Sequence, residues 1–163
     1  MKKMIEIYDK LEENFLFFTF ALSVALIFIQ IVMRYVFLAS LSWSEELARY
    51  LFVWYTWVGA SYAVAKHRHI RIEILCDLIK GKSRLVLELL VLLVWAAFSM
   101  FLAVKGVEVV RIIAVRGQLS AALQIPMAFA YAAVPAGALL MSLRLIGEIV
   151  SVCKQFSAEE VKG

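Results

Sequence analysis

The sequence predicts an all-α integral membrane protein of four transmembrane helices, with both termini on the cytoplasmic side and short amphipathic helices at the interface. Three observations carry this. Of 163 residues, 64% are hydrophobic, and the mean hydropathy of +0.87 lies far above that of a soluble domain. The apolar residues gather into long runs separated by charged segments. Lysine and arginine are shared unevenly among those segments. The chain reads as one membrane domain over residues 1–163, with spans at about 14–37, 43–65, 85–110 and 125–150.

Residues 1–13 place Met4, Tyr8 and Leu11 at helical spacing among charges, and Phe15 continues the row. This is the pattern of an amphipathic lead-in lying on the membrane surface. Glu6, Asp9, Glu12 and Glu13 stand where a cleavable signal is basic, so a signal peptide is not expected. Residues 14–33 carry no charge and are long enough to cross the hydrocarbon. Arg34 falls at their end.

The second helix is expected to begin in Ser42-Trp43-Ser44-Glu45-Glu46-Leu47-Ala48-Arg49-Tyr50. Ser42 with Glu45 three residues on has the form of a capping box. Both glutamates fall in the first turn, where the helix dipole favours negative charge. Glu45 and Arg49 have the spacing and order of a helical ion pair. Farther along, Trp54 and Trp57 read as packing groups, and Gly59, Ala60, Ser61 and Ala63 allow close helix approach.

Residues 66–69 are Lys-His-Arg-His, and Ile70, Ile74 and Leu78 then form an apolar stripe between charges. An amphipathic surface helix is expected there. The two histidines beside several basic residues make a poor cation site. Gly81-Lys82-Ser83 has Cys76 where a phosphate-binding loop needs glycine, so nucleotide binding is not expected. The third span runs from about Leu85, and no breaker stops it before Arg116-Gly117. For the fourth, Gln124-Ile125-Pro126 reads as a helix start, and Pro135 should kink the helix near Tyr131. Ala128, Ala132 and Ala136 form one small-residue row, with Ala133 and Gly137 beside it.

Four spans put both termini on one side. Twelve lysines and arginines then share that side and five the other, which makes it cytoplasmic. Cys76 and Cys153 lie on the reducing side, so no disulfide is expected. No histidine lies within a span to ligate haem. No catalytic, metal-binding or cofactor-binding residues are assigned, and nucleic acid is not an expected partner. The deepest charges lie near helix ends, unlike those of a self-contained ion-coupled carrier. If the turn between the first two spans centres near Ser40, Arg34 stands level with Glu46. A carboxylate there would offset the cost of an arginine in an apolar run, so an Arg34–Glu46 pair is expected.

Trp43-x-Glu45-Glu46-x-x-Arg49-Tyr50, followed by Trp54, Gly59-Ala60 and the basic His67-Arg68-His69 segment, resembles the small membrane subunit (DctQ-like) of tripartite ATP-independent periplasmic (TRAP) transporters. The resemblance covers nearly the whole chain and is sharpest over residues 34–71. It implies a bacterial inner-membrane protein, not an enzyme, without cofactors of its own, that scaffolds a large multi-span permease subunit. It further implies sodium-driven uptake of a carboxylate-bearing solute delivered by a periplasmic binding protein. Arg34, Trp43, Glu45, Glu46, Arg49, Tyr50, Trp54, Gly59, Ala60, Ala132 and Gly137 are the expected structural or partner-facing positions. A stand-alone four-span exporter and a membrane anchor of a redox complex are the alternative readings.

Overall fold

A computed structural model describes residues 2–65 and 82–160. The chain forms α1 (Lys2–Tyr35), α2 (Ser42–Ala65), α3 (Lys82–Val115), the single turn α4 (Ala128–Tyr131) and α5 (Ala133–Glu160). Three stretches are long and apolar enough to cross a membrane: Lys10–Tyr35, Ser83–Val115 and Ala128–Lys154. The all-α membrane class is thus as expected. The 24-residue α2 is long enough to cross, but Tyr50, Trp54, Tyr55, Trp57 and Tyr62 dilute its apolar character. The surface helix expected after residue 66 lies outside the described residues. The separate N-terminal lead-in does not form: α1 runs unbroken for 34 residues. Nothing in its first half can stop it, since neither glycine nor proline precedes Gly59.

Residues 36–41 turn the chain from α1 into α2. Leu38 takes the left-handed conformation at φ 51°, and the Ala39 N–H donates back to the Met33 carbonyl at 3.0 Å. A leucine there costs on the order of 1 kcal/mol, and its side chain is among the most exposed in the molecule. At the other connection Gly117 ends α3 at φ 61°, where only glycine is free of strain. Both connections lie at one end of the molecule, called the hairpin end below.

Among the described residues, α1 packs only on α2. The other flank of α2 meets α4 and α5, and α3 packs on α4 and α5. The spatial order is therefore α1–α2–α5–α3, a row one helix thick rather than a closed four-helix bundle. Two antiparallel hairpins meet along the seam between α2 and α5, which run parallel. The α1–α2 register is set by Gln30 opposite Glu45, Phe20 opposite Tyr55 and Leu16 opposite Gly59. The α3–α5 register is set by Ser99 opposite Ser142 and Gly106 opposite Pro135.

Small residues let the backbones approach along the seams. A Cβ on Gly137 would lie 2.7 Å from Trp57 Cβ and 2.8 Å from its carbonyl oxygen, so α2 and α5 touch there backbone to backbone. A Cβ on Gly106 would meet the Pro135 ring at 3.0 Å. Proline also interrupts the last helix as expected. Pro135 has no N–H for the Tyr131 carbonyl, and the helix breaks at Ala132 between α4 and α5. The helix does not start at Gln124-Ile125-Pro126, however. Those residues close a loop, and the Pro126 carbonyl accepts the Phe129 N–H at 3.0 Å just ahead of α4.

Two polar ties lie deep in the row. The Ser142 hydroxyl donates to the Ala138 carbonyl at 2.8 Å and accepts from the Ser99 hydroxyl, whose oxygen lies 3.1 Å from the same carbonyl. Toward the other end, Arg144 Nη2 pairs with Glu12 Oε2 at 2.5 Å, and both side chains are largely buried. This pair links α5 to α1 across α2, level with Ala63 in the α1–α2 register. Val64, Met141 and Leu145 form the apolar core beside it, with Ala60, Leu92 and Ala96 against them. Helix α5 thus meets α2 along its Gly137 side and α3 along its Pro135–Ser142 side, and it leaves Leu139, Leu143 and Ile146 exposed.

Replacing Gly137 with leucine should therefore force α2 from α5 and cost on the order of 1–3 kcal/mol. A thermal-unfolding assay in detergent should show a lower melting temperature for Gly137→Leu and none for Gly147→Leu, whose Cβ would meet open space. Ala132→Leu, at a half-buried position, should fall between them.

Candidate functional site

The polar residues of the hairpin end converge on Glu46. Its position in the first turn of α2 points it at the connection over residues 117–127. There the Ser120 N–H donates to the Ile125 carbonyl at 2.8 Å, and Met127 N–H to the Gln118 carbonyl at 2.9 Å. Gln124 takes the left-handed conformation at φ 55°. Its side-chain amide donates to the Ser120 and Ala121 carbonyls at 3.0 and 3.1 Å, tying the loop tip shut. The turn so formed aims two N–H groups at one point. Glu46 Oε2 accepts from Ala122 at 2.7 Å and from Leu123 at 3.1 Å. Oε1 accepts the Tyr50 hydroxyl at 2.5 Å.

Hydrogen bonds to a charged group contribute about 1.5–3 kcal/mol each, more than neutral ones. One turn farther along the same face of α2, Trp54 Nε1 donates to the Phe129 carbonyl at 3.2 Å. Glu46, Tyr50 and Trp54 stand four residues apart, so one stripe of α2 holds the 117–127 loop and α4. Trp57 continues that stripe to Gly137.

The neighbouring stripe faces α1. Glu45 Oε2 accepts from Gln30 Nε2 at 3.1 Å, and Oε1 stands 3.5 Å from Arg49 Nη2. The expected Glu45–Arg49 pair is present. Both side chains are more than half exposed, so it contributes only about 0.3–0.5 kcal/mol. The capping box is not formed as expected. Ser42 already lies in the helix, Glu45 turns to Gln30 and Arg49, and the buried Ser44 hydroxyl donates to the Leu41 carbonyl at 2.8 Å.

The Arg34–Glu46 pair does not form either. The three opposed pairs on α1 and α2 are symmetric about a point between Phe37 and Leu38. That register sets Arg34 level with Leu41, beyond the start of α2. Arg34 is exposed, and Glu46 points to the opposite flank. Of the other expected positions, Gly59 meets Leu16 of α1, with a Cβ there 3.7 Å from Leu16 Cδ2. Ala60 lies by the apolar core, and Trp43 is exposed.

Several structural residues escaped the sequence reading. The backbone donors of Ala122 and Leu123 carry no side-chain signal. Ser99 and Ser142 do carry one: each is a lone serine in a long apolar run, and such hydroxyls seek a partner on a neighbouring helix. Among the described residues no three His, Cys, Asp or Glu side chains gather as a metal site. An open cleft of about 720 Å³ lies between α2 and the loop, with Ser42, Arg49 and Glu46 at its polar side and Val53, Met127 and Val134 along its apolar wall.

The family model for the DctQ component of tripartite ATP-independent periplasmic transporters matches residues 23–155. The chain is 33% identical over 107 residues to the C4-dicarboxylate TRAP transporter small permease protein DctQ of Rhodobacter capsulatus, covering 66% of this chain and 47% of that one. To the Vibrio cholerae protein of the same description it is 30% identical over 96 residues, covering 59% and 41%. To the sialic acid TRAP transporter permease protein SiaT of Haemophilus influenzae it is 47% identical over 55 residues, 34% of this chain and 9% of that one. The matches thus span less than half of each relative's length.

Removing the Glu46 carboxylate should free the loop. Glu46→Ala leaves two N–H groups without their acceptor and should lower the melting temperature more than Tyr50→Phe, which removes a single hydroxyl donor. Hydrogen exchange in nanodiscs should show the Ala122 and Leu123 amides exchanging at least about tenfold faster in Glu46→Ala. Unchanged protection would mean that other bonds hold the loop.

Proposed function

The chain belongs to the DctQ component family of tripartite ATP-independent periplasmic transporters, and on that premise we propose that it scaffolds a large permease subunit for sodium-driven uptake of a carboxylate-bearing solute. In this reading all four long helices, α2 included, cross the bacterial inner membrane with both termini cytoplasmic. The lysine and arginine distribution supports that orientation. A periplasmic binding protein delivers the solute at the hairpin end, where Trp43 and the Glu45–Arg49 stripe are presented.

The observation that carries the scaffold role is where the polar groups are spent. Glu46, Tyr50, Trp54, Ser99, Ser142, Glu12 and Arg144 each tie one part of this chain to another. The result is a braced row of helices with wide apolar faces. Such faces suit a bilayer and a second membrane subunit. The match to a small part of a much longer TRAP permease supports a large partner in the same membrane. Family membership replaces the stand-alone exporter and redox-anchor alternatives.

The test is uptake by proteoliposomes under a sodium gradient. This chain alone should give no organic-acid uptake, and the chain with its large subunit and binding protein should restore it. Sodium-coupled uptake by the chain alone would overturn the scaffold role. In intact cells carrying the same complex, a cysteine at Leu41 should react with an impermeant thiol reagent and one at Ser83 should not. The reverse pattern would invert the orientation.

A further inference from the structure

We propose that the tip of the α1–α2 hairpin, residues 35–38, is a lipid anchor: it lies in the phospholipid headgroup layer, with Arg34 beside it on the phosphates. The inference starts from the exposure of the tip and from its backbone.

Tyr35, Val36, Phe37 and Leu38 are consecutive large apolar residues, each at least 65% exposed, with Leu38 at 89%. A turn that faces water is ordinarily built from glycine, asparagine, aspartate or serine. This one also holds Leu38 in the left-handed conformation at φ 51°, where glycine would carry no strain. The strained side chain points away from the protein, so what it serves lies outside the chain. A contiguous exposed apolar patch marks contact with a membrane or a partner.

Depth decides between them. Helix α1 is apolar and long enough to cross a membrane from Lys10 to Tyr35, and its residues 14–33 carry no charge. Those 20 residues rise about 30 Å, the thickness of the hydrocarbon core. The headgroup layers add roughly 5–8 Å on each side. Residues 34–38 extend the chain past the hydrocarbon by no more than about 7 Å. The tip therefore ends inside the headgroup layer rather than in open water.

Charge and continuity agree. Arg34 is exposed and forms no ion pair among the described residues. Its stem can lie along the apolar surface while the guanidinium reaches phosphate oxygens, which it binds through two parallel hydrogen bonds. Tyr35 is of the amphipathic type enriched at this level of a bilayer. Phe17, Val24, Phe28, Ile31 and Tyr35 are exposed and stand at helical spacing on one flank of α1. Among the described residues α1 packs only on α2, so this apolar ridge is open to lipid along its length and runs into the tip. The inference needs only that α1 crosses the bilayer, and the scaffold role does not depend on it.

The test uses the complex with the large permease subunit and the binding protein, in nanodiscs of phosphatidylethanolamine and phosphatidylglycerol. With Cys76 and Cys153 replaced by serine, a bimane fluorophore is attached through Leu38→Cys. Lipids brominated next to the headgroup should quench it severalfold more than lipids brominated at the chain end, and aqueous iodide should quench it little. Strong iodide quenching without lipid quenching would put the tip in water and overturn the anchor. Stronger quenching from the chain end would put it in the hydrocarbon, with the same consequence. Protection from both quenchers that is lost when the large subunit or the binding protein is left out would show a protein covering the tip, and the anchor would fall again. Leu38→Gly gives an independent reading, because relief of the strain offsets the added freedom of the unfolded chain. With the bimane at Val36→Cys, Leu38→Gly should raise iodide quenching severalfold at an unchanged melting temperature. Unchanged quenching would mean that Leu38 holds nothing in the lipid, and a marked drop in melting temperature would mean that it packs within the protein; either result overturns the proposal.

Discussion

The structure depends on one carboxylate. Among the described residues, two hairpins, α1–α2 and α3–α5, meet along the seam of α2 with α4 and α5 and through the Glu12–Arg144 pair. At the hairpin end that seam is closed by Glu46, which accepts one hydroxyl and two backbone N–H groups. Those N–H groups sit at the tip of the 117–127 loop, and Glu46 gives them a charged acceptor. An anion suits the position twice over. The first turn of α2 favours negative charge, and the folded loop tip presents two donors converging on it. The same residue thus begins one hairpin and ends the other's loop.

Below the latch, the seams are held by fit rather than by burial of large side chains. The bilayer gives apolar helices no hydrophobic reason to associate, so close backbone approach and shared hydroxyls must do so. Gly137 against Trp57 and Gly106 against Pro135 supply the approach. Ser99 and Ser142 supply the hydroxyls. The largely buried Glu12–Arg144 pair adds a tie across α2. Breaking such a pair by removing one partner costs about 3–5 kcal/mol, because the other charge stays buried. A row one helix thick, with a small apolar core, is tied near both ends, by the latch at one and the ion pair at the other.

Much of this was legible in the residues themselves. The apolar runs, the turn at residues 36–41, the end of α3 at Gly117, the small residues of α2 and α5 and the break caused by Pro135 follow from charge, size and the missing proline N–H. The family likeness showed in the residues around Glu45 and Arg49. The Arg34–Glu46 pair does not form because the chain reverses at Leu38, ahead of the centre near Ser40 that the pairing requires. Glu46 found backbone donors instead, and backbone donors leave no mark in a sequence. The unbroken α1 and the order α1–α2–α5–α3 were equally hidden. Both depend on which flank of each helix meets which neighbour, and apolar residues lie all round these helices.

That two hairpins are locked into one rigid body by the Glu46 latch is the central claim, and an electron–electron distance tests it most directly. With Cys76 and Cys153 replaced by serine, nitroxides at Phe28 of α1 and Val109 of α3 report the separation of the two outer helices. The complex should give a single narrow distribution, and Glu46→Ala should broaden it by several ångströms and lower uptake with it. A distribution equally narrow in Glu46→Ala would contradict the account, because the hairpins would then be held together without the latch.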